Sequence, residues 1–217
     1  MNLFYIDTSS SYLYAGIICN NILKGSVKKN FGKELSKYAL NEVKNLFNEV
    51  NILPSEIDKI IVVSGPGSFT GIRIGMTIAK IFAFSLKKDI ITISSLEAMA
   101  YSVDSRLIKV PILDARRGFV YAGVYDEKND LILNNQYISL DKLIDYLNLL
   151  KKEYIFITND AKLVDLNRIK YEPNILKIVN IVKDGKSINP HLVEPIYLKL
   201  TEAEENLGSK YDNRVTE

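Results

Sequence analysis

Apolar and polar positions along the chain fall into two blocks with a similar order of elements. In the first block, residues 3–6, 12–19 and 22–27 are short apolar stretches, the last two separated by Asn20-Asn21. They predict three sequential strands joined as a meander. Leu35, Ala39, Val43, Leu46 and Val50 recur at helical spacing, with Lys37, Asn41, Lys44 and Asn48 largely opposite, so 34–50 reads as an amphipathic helix whose stripe is widened by Tyr38 and Phe47. Residues 60–63 are wholly apolar and β-branched, as in a strand covered on both faces. A helix over 70–87, a strand over 90–93 and a helix capped by Ser94 or Ser95 complete the order β-β-β-α-β-α-β-α. The second block repeats the opening: strands over 109–113, 119–125 and 131–137, a helix from Ser139 to about residue 150, and a strand over 154–158. The two blocks are not repeats in sequence. Residues 161–182 give no clear pattern, 196–199 read as short and extended, and the polar tail from Ala203 predicts fraying.

The stretch 60–80 organises the rest. Ser64-Gly65-Pro66-Gly67 must turn sharply, because proline fixes its own φ and glycine tolerates positive φ. Ser68 or Thr70 can cap the helix that follows, and backbone N–H groups at such a start favour an anion. Gly71, Gly75, Ala79 and Ala83 then form a stripe with almost no side chain. Glycine inside a helix costs about 1 kcal/mol relative to alanine, so the stripe predicts close approach of another backbone. Ile72, Ile74, Met76, Ile78, Ile81 and Phe82 make the helix apolar nearly all round, which predicts burial against its own sheet and against something else.

Composition narrows the setting. The chain has 217 residues, 47% hydrophobic and 25% charged, with net charge +2, which makes no global case for nucleic-acid binding. A single cysteine, Cys19, excludes an intramolecular disulfide and fits a reducing compartment. The N-terminal segment, with Asp7 inside a short apolar run, is expected to be neither a signal peptide nor a membrane span, and no apolar run is expected to reach the length of one. The cytoplasm is the expected location.

Three constellations carry candidate chemistry, each with two open readings. Asp7-Thr8-Ser9, at the end of the first strand, can hold a phosphate with the carboxylate near a metal, or can simply be an Asx or Ser/Thr turn. Gly65, Gly67 and Ser68 belong to a loop that is neither a P-loop nor G-x-G-x-x-G, because Gly71 is followed by Ile72-Arg73. That loop reads either as a ligand contact or as a tight turn before a close helix crossing. Asp114, Arg116 and Arg117 end the strand at 109–113, where the arginines can grip a phosphate or form surface ion pairs. His191 is the only histidine; no His/Cys cluster, Cys–His dyad or Gly-x-Ser-x-Gly elbow accompanies it.

Taken together, Ile6-Asp7-Thr8-Ser9, Ser64-Gly-Pro-Gly-Ser-Phe-Thr-Gly-Ile-Arg-Ile-Gly75, Ser94-Ser-Leu-Glu-Ala98, Asp114-Ala-Arg-Arg-Gly118 with Val120-Tyr121, and Pro195-Ile-Tyr-Leu-Lys199 resemble the TsaB (YeaZ) family in content, order and spacing, over residues 3 to about 200. The resemblance implies an α/β actin-like ATPase (ASKHA) fold of two ribonuclease-H-like lobes with mixed sheets, here expected over 1–103 and 104–217. It implies a non-catalytic scaffold that binds and activates TsaD, its paralogue, which places threonylcarbamoyl on N6 of adenosine 37 in tRNAs reading codons that begin with A. TsaE, an ATPase, would join the complex, tRNA would be met only through it, and the chain alone would form a homodimer; no membrane is implied.

TsaD carries a His-x-x-x-His metal motif where this chain has Lys33-Glu-Leu-Ser-Lys37. Typical family members also often carry His near Lys33 and Glu at the position of Phe119. The resemblance places the partner interface on helices 34–50 and 70–87, at Leu35, Tyr38, Ala39, Leu46, Gly71, Ile72, Gly75, Met76, Ala79 and Ala83. Asp7, Thr8, Ser9, Gly65, Gly67, Ser68 and Asp114 are expected at the cleft between lobes, with Arg116 and Arg117 across it. No cofactor is intrinsic; ATP or ADP with Mg would bind weakly or at the complex interface. The competing readings are a glycoprotease-like peptidase and a stand-alone ATPase of the same fold.

Overall fold

The computed structural model describes residues 1–164 and 167–199; the tail expected to fray lies outside them. β1 (Asn2–Asp7), β2 (Tyr12–Cys19) and β3 (Ile22–Asn30) form an antiparallel meander, with Asn20 and Asn21 both at positive φ in the tight turn. α1 (Leu35–Val50) then leads to β4 (Lys59–Val63), α2 (Phe69–Leu86), β5 (Ile90–Ile93) and α3 (Ser95–Ser102). β4 lies parallel to β1, and β5 parallel to β4, giving a sheet of order β3-β2-β1-β4-β5. α1 and α2 pack on one face, over Phe4, Ile6, Ala15, Ile17, Ile60 and Val62.

The second half repeats this plan. β6 (Ile108–Asp114), β7 (Phe119–Tyr125) and β8 (Leu131–Ser139) are an antiparallel meander. α4 (Leu140–Leu150), capped by Ser139, leads to β9 (Tyr154–Ile157) and β10 (Arg168–Ile169), both parallel additions. The order β10-β9-β6-β7-β8 is that of the first sheet. Two α/β units of one topology therefore stand in series.

Several expectations need correction. The segment 161–182, unreadable in sequence, contains α5 (Ile175–Val182), capped by Asn174. This helix does not stay with the second sheet. Ile175, Ile178 and Val179 pack against Leu3, Tyr5, Ile18, Ile61 and Ile91 on the remaining face of the first sheet. Ile188 also pairs with Ile90. The C-terminal unit is thus not 104–217 entire. Residues 196–199, read as short and extended, lie outside the named strands, and the Ile196 N–H donates to the Ser64 carbonyl.

α2 is 18 residues long and apolar enough to match a membrane span by length and composition, contrary to the sequence expectation. Its place in the sheet decides the matter. β4 and β5 are parallel neighbours, Ile60 opposite Ile90, so both ends of α2 are tied to one sheet as a crossover connection.

Candidate functional site

The expected small-residue stripe on α2 is used by the chain itself. The Thr8 hydroxyl donates to the Gly71 carbonyl at 2.7 Å and accepts from the Gly75 N–H at 2.9 Å. It bridges two backbone groups that lie one helical turn apart. A Cβ at Gly71 would run into the Thr8 carbonyl, and one at Gly75 into the Thr8 hydroxyl. The backbone that approaches closely is therefore the turn after β1, not a partner helix.

The residue-level expectation for the interface is corrected accordingly. Leu35, Ala39, Leu46, Gly71, Ile72, Gly75, Met76, Ala79 and Ala83 are all buried within this chain; Tyr38 alone is partly exposed. The two helices instead present other side chains outward. Leu40, Phe69, Ile81 and Phe84 are 55%, 53%, 57% and 65% exposed. A groove of about 530 Å³ runs between the helices, lined by Leu40, Phe69, Arg73, Ile74, Ile81 and Phe82 among others. The Arg73 guanidinium lies 3.8 Å over the Phe69 ring and its Nε donates to the Tyr197 hydroxyl, while Phe69 and Tyr197 stack at 5.4 Å. Phe84 meets His191 edge-on at 5.5 Å.

The glycine loop is also fixed from within. The Ser95 N–H donates to the Gly65 carbonyl and its hydroxyl to that of Pro66. Gly65, at φ +108°, has no room for a side chain between Ile72 and the Ile196 carbonyl. Ser68 caps α2 by accepting from the Gly71 N–H, and its own N–H donates to the Ser9 carbonyl.

Between the two sheets lies a cavity of about 270 Å³. Asp7, Ser9, Gly67, Ser68 and Asp114 line it, as the sequence anticipates; Thr8, Gly65, Arg116 and Arg117 do not. Asp114 accepts from the Arg116 N–H in an Asx turn, and both arginines, at φ +67° and +56°, are exposed on that hairpin. Tyr14, Ser95, Met99, Tyr121, Asn159 and Tyr171 complete much of the wall. No sequence pattern marks the tyrosines among them, because a tyrosine within a strand or an irregular stretch looks like core or surface alike. Asp7 is buried, and its carboxylate accepts from the Ser9 N–H at 2.8 Å. Burial pushes the carboxyl above its ordinary range, more than the hydrogen bonds from Ser9 pull it down.

These residues do not suit a nucleotide with magnesium. No Lys, Arg or His lines the cavity to meet phosphate oxygens. No metal-binding cluster occurs among the described residues.

Two sheets of one repeated order, a meander extended by two parallel strands, facing each other across a cleft at the end of the first strand, define an α/β protein of the actin-like ATPase fold. A structure from Pseudomonas aeruginosa, described as similar to peptidase YEAZ, superposes with TM-score 0.79 at 19% identity over 91% of this chain and 99% of its own. The family model described as TsaD, tRNA N6-adenosine threonylcarbamoyltransferase, matches residues 17–204. The tRNA threonylcarbamoyladenosine biosynthesis protein TsaB of Bacillus subtilis is 33% identical over 94% of this chain and 96% of its own length. Its namesake in Buchnera aphidicola subsp. Schizaphis graminum is 30% identical over 86% and 90%. The chain belongs to the TsaB (YeaZ) family.

Proposed function

We propose that this chain serves tRNA threonylcarbamoyladenosine synthesis as a non-catalytic subunit that docks on a TsaD-type transferase through the outward face of α1 and α2. The exposed apolar row of Leu40, Phe69, Ile81 and Phe84 carries the reading. Phe69 to Phe84 spans about 22 Å of helix, and Leu40, Phe69 and Ile81 line one groove while Ile81 and Phe84 line the next. These side chains are 53–65% exposed, so burying what remains is worth about 1–2 kcal/mol each, or about 3–7 kcal/mol for the four. That reaches only the lower part of the roughly 4–15 kcal/mol that association costs. The reading extends to TsaE as a third member, to tRNA met through the complex, to a homodimer on the same face when the chain is alone, and to the cytoplasm as the setting.

The test is co-purification of this chain with the TsaD and TsaE of its own source. Wild-type protein is expected to retain TsaD, whereas Ile81→Asp and Phe84→Asp lose it with circular dichroism and Tm unchanged. Retention of TsaD by both folded variants contradicts docking on this face. The mass of the chain alone then reports whether a second copy occupies the same surface.

A further inference from the structure

We propose that the cavity between the two sheets is a binding site for a small organic ammonium ion. Asp7 and Asp114 line it together with three tyrosines, Tyr14, Tyr121 and Tyr171, and no basic side chain lines it. A wall of carboxylates and phenol rings attracts a cation and repels a phosphate. Asp7 is only 3% exposed, and no ion pair among the described residues includes it. Burial without a counter-charge favours the neutral acid, and a bound ammonium would supply the charge that lets Asp7 ionise in the cavity.

A second observation points the same way. The hydroxyls of Tyr5 and Tyr171 are buried with no hydrogen-bond partner. Tyr171 lines the cavity, and Tyr5 stands two residues before Asp7 on β1, on the same side of the strand. Buried polar groups are nearly always partnered, so two orphans beside one carboxyl mark a place where a ligand belongs. An ammonium group brings three donors, which a carboxylate and phenol oxygens can all accept.

The chain's own cations are placed otherwise. The Lys199 ammonium lies 5.4 Å from the centre of the Tyr137 ring, and Arg116 and Arg117 are exposed on their hairpin and do not line the cavity. A volume of about 270 Å³ sits at the lower edge of small-molecule pockets, roughly 300–1,000 Å³, and fits a ligand of a few carbon atoms. The inference is independent of the docking face on α1 and α2.

The test uses the whole chain with n-butylammonium chloride as probe, 1-butanol as its neutral counterpart and MgATP as the phosphate-bearing rival, at constant ionic strength. Methyl NMR of Met99, which lines the cavity, reports occupancy directly. The ammonium ion is expected to shift the Met99 signal saturably, and butanol and MgATP to leave it unmoved. Asp7→Asn, which keeps the acceptor for Ser9, is expected to weaken the ammonium by at least about tenfold, the scale of a lost charged partner. No saturable shift with the ammonium, equal binding of butanol, or tighter binding of MgATP at Met99 overturns the proposal. The ammonium–butanol comparison on wild-type protein stands even if the variant does not fold.

Discussion

Thr8 shows how one hydroxyl can fix the geometry of a whole helix. It bridges Gly71 and Gly75, and the missing side chains at those positions let the turn after β1 lie directly on α2. Thr8→Val keeps the shape and removes both bonds, leaving a buried N–H and C=O without their partner. It is expected to cost about 1–3 kcal/mol by urea denaturation, with Thr8→Ser close to wild type. Gly75→Ala forces a methyl into the Thr8 hydroxyl and is expected to lose about 1–3 kcal/mol by overpacking.

Asp7 makes a prediction of the opposite sign. Its carboxyl is raised from 3.8 by burial, so the fold favours the neutral form. Stability from this group is complete below the unfolded value and declines as pH rises through the folded one. Asp7→Asn is therefore expected to match wild type near pH 3.8 and to become the more stable protein toward neutrality. A difference in Tm that stays constant with pH would contradict this.

At the scale of elements, α2 has two faces with different tasks. The small face meets the β1 turn, and the large one, Phe69 through Phe84, looks outward. Hydrophobic periodicity located this helix within a residue and marked it as needing two contacts. It could not say which face met which, because a Gly/Ala stripe suits a neighbouring strand turn as well as a neighbouring helix. The partner of that stripe is Thr8, 63 residues before Gly71, and sequence spacing carries no trace of so distant a contact. Helix starts were legible because caps are local: Ser68, Ser94 and Ser139 each accept from an N–H in the first turn. Ser94 also forms a capping box with Glu97, and Ser94→Ala is expected to cost about 1 kcal/mol by denaturant titration.

The whole molecule is a duplication whose two units are laced together. α3 follows the first sheet in sequence, yet Leu96 and Met99 pack with Ile157, Leu113 and Tyr121 of the second. α5 follows the second sheet and covers the first. Two helices that cross between units in this way bring Asp7, Asp114 and Tyr171 to one cavity. Element order made the duplication legible, but the crossing of α5 was not, because an eight-residue helix after an irregular stretch leaves no clear period. Ile178→Ala, in the last third of the chain, is therefore expected to destabilise the first sheet by about 2–4 kcal/mol, seen as lost hydrogen-exchange protection in β1 and β4.

At this scale the proposed role of the chain is to support a catalytic partner through α1 and α2. The direct measurement is threonylcarbamoyl transfer to tRNA reconstituted from purified components, with this chain present, absent or carrying Phe84→Asp. Modification is expected with the wild-type chain, is expected to be lost when the chain is omitted or carries Phe84→Asp, and is not expected from the chain alone. Modification that proceeds equally well with folded Phe84→Asp protein, or from this chain without a transferase, would contradict it.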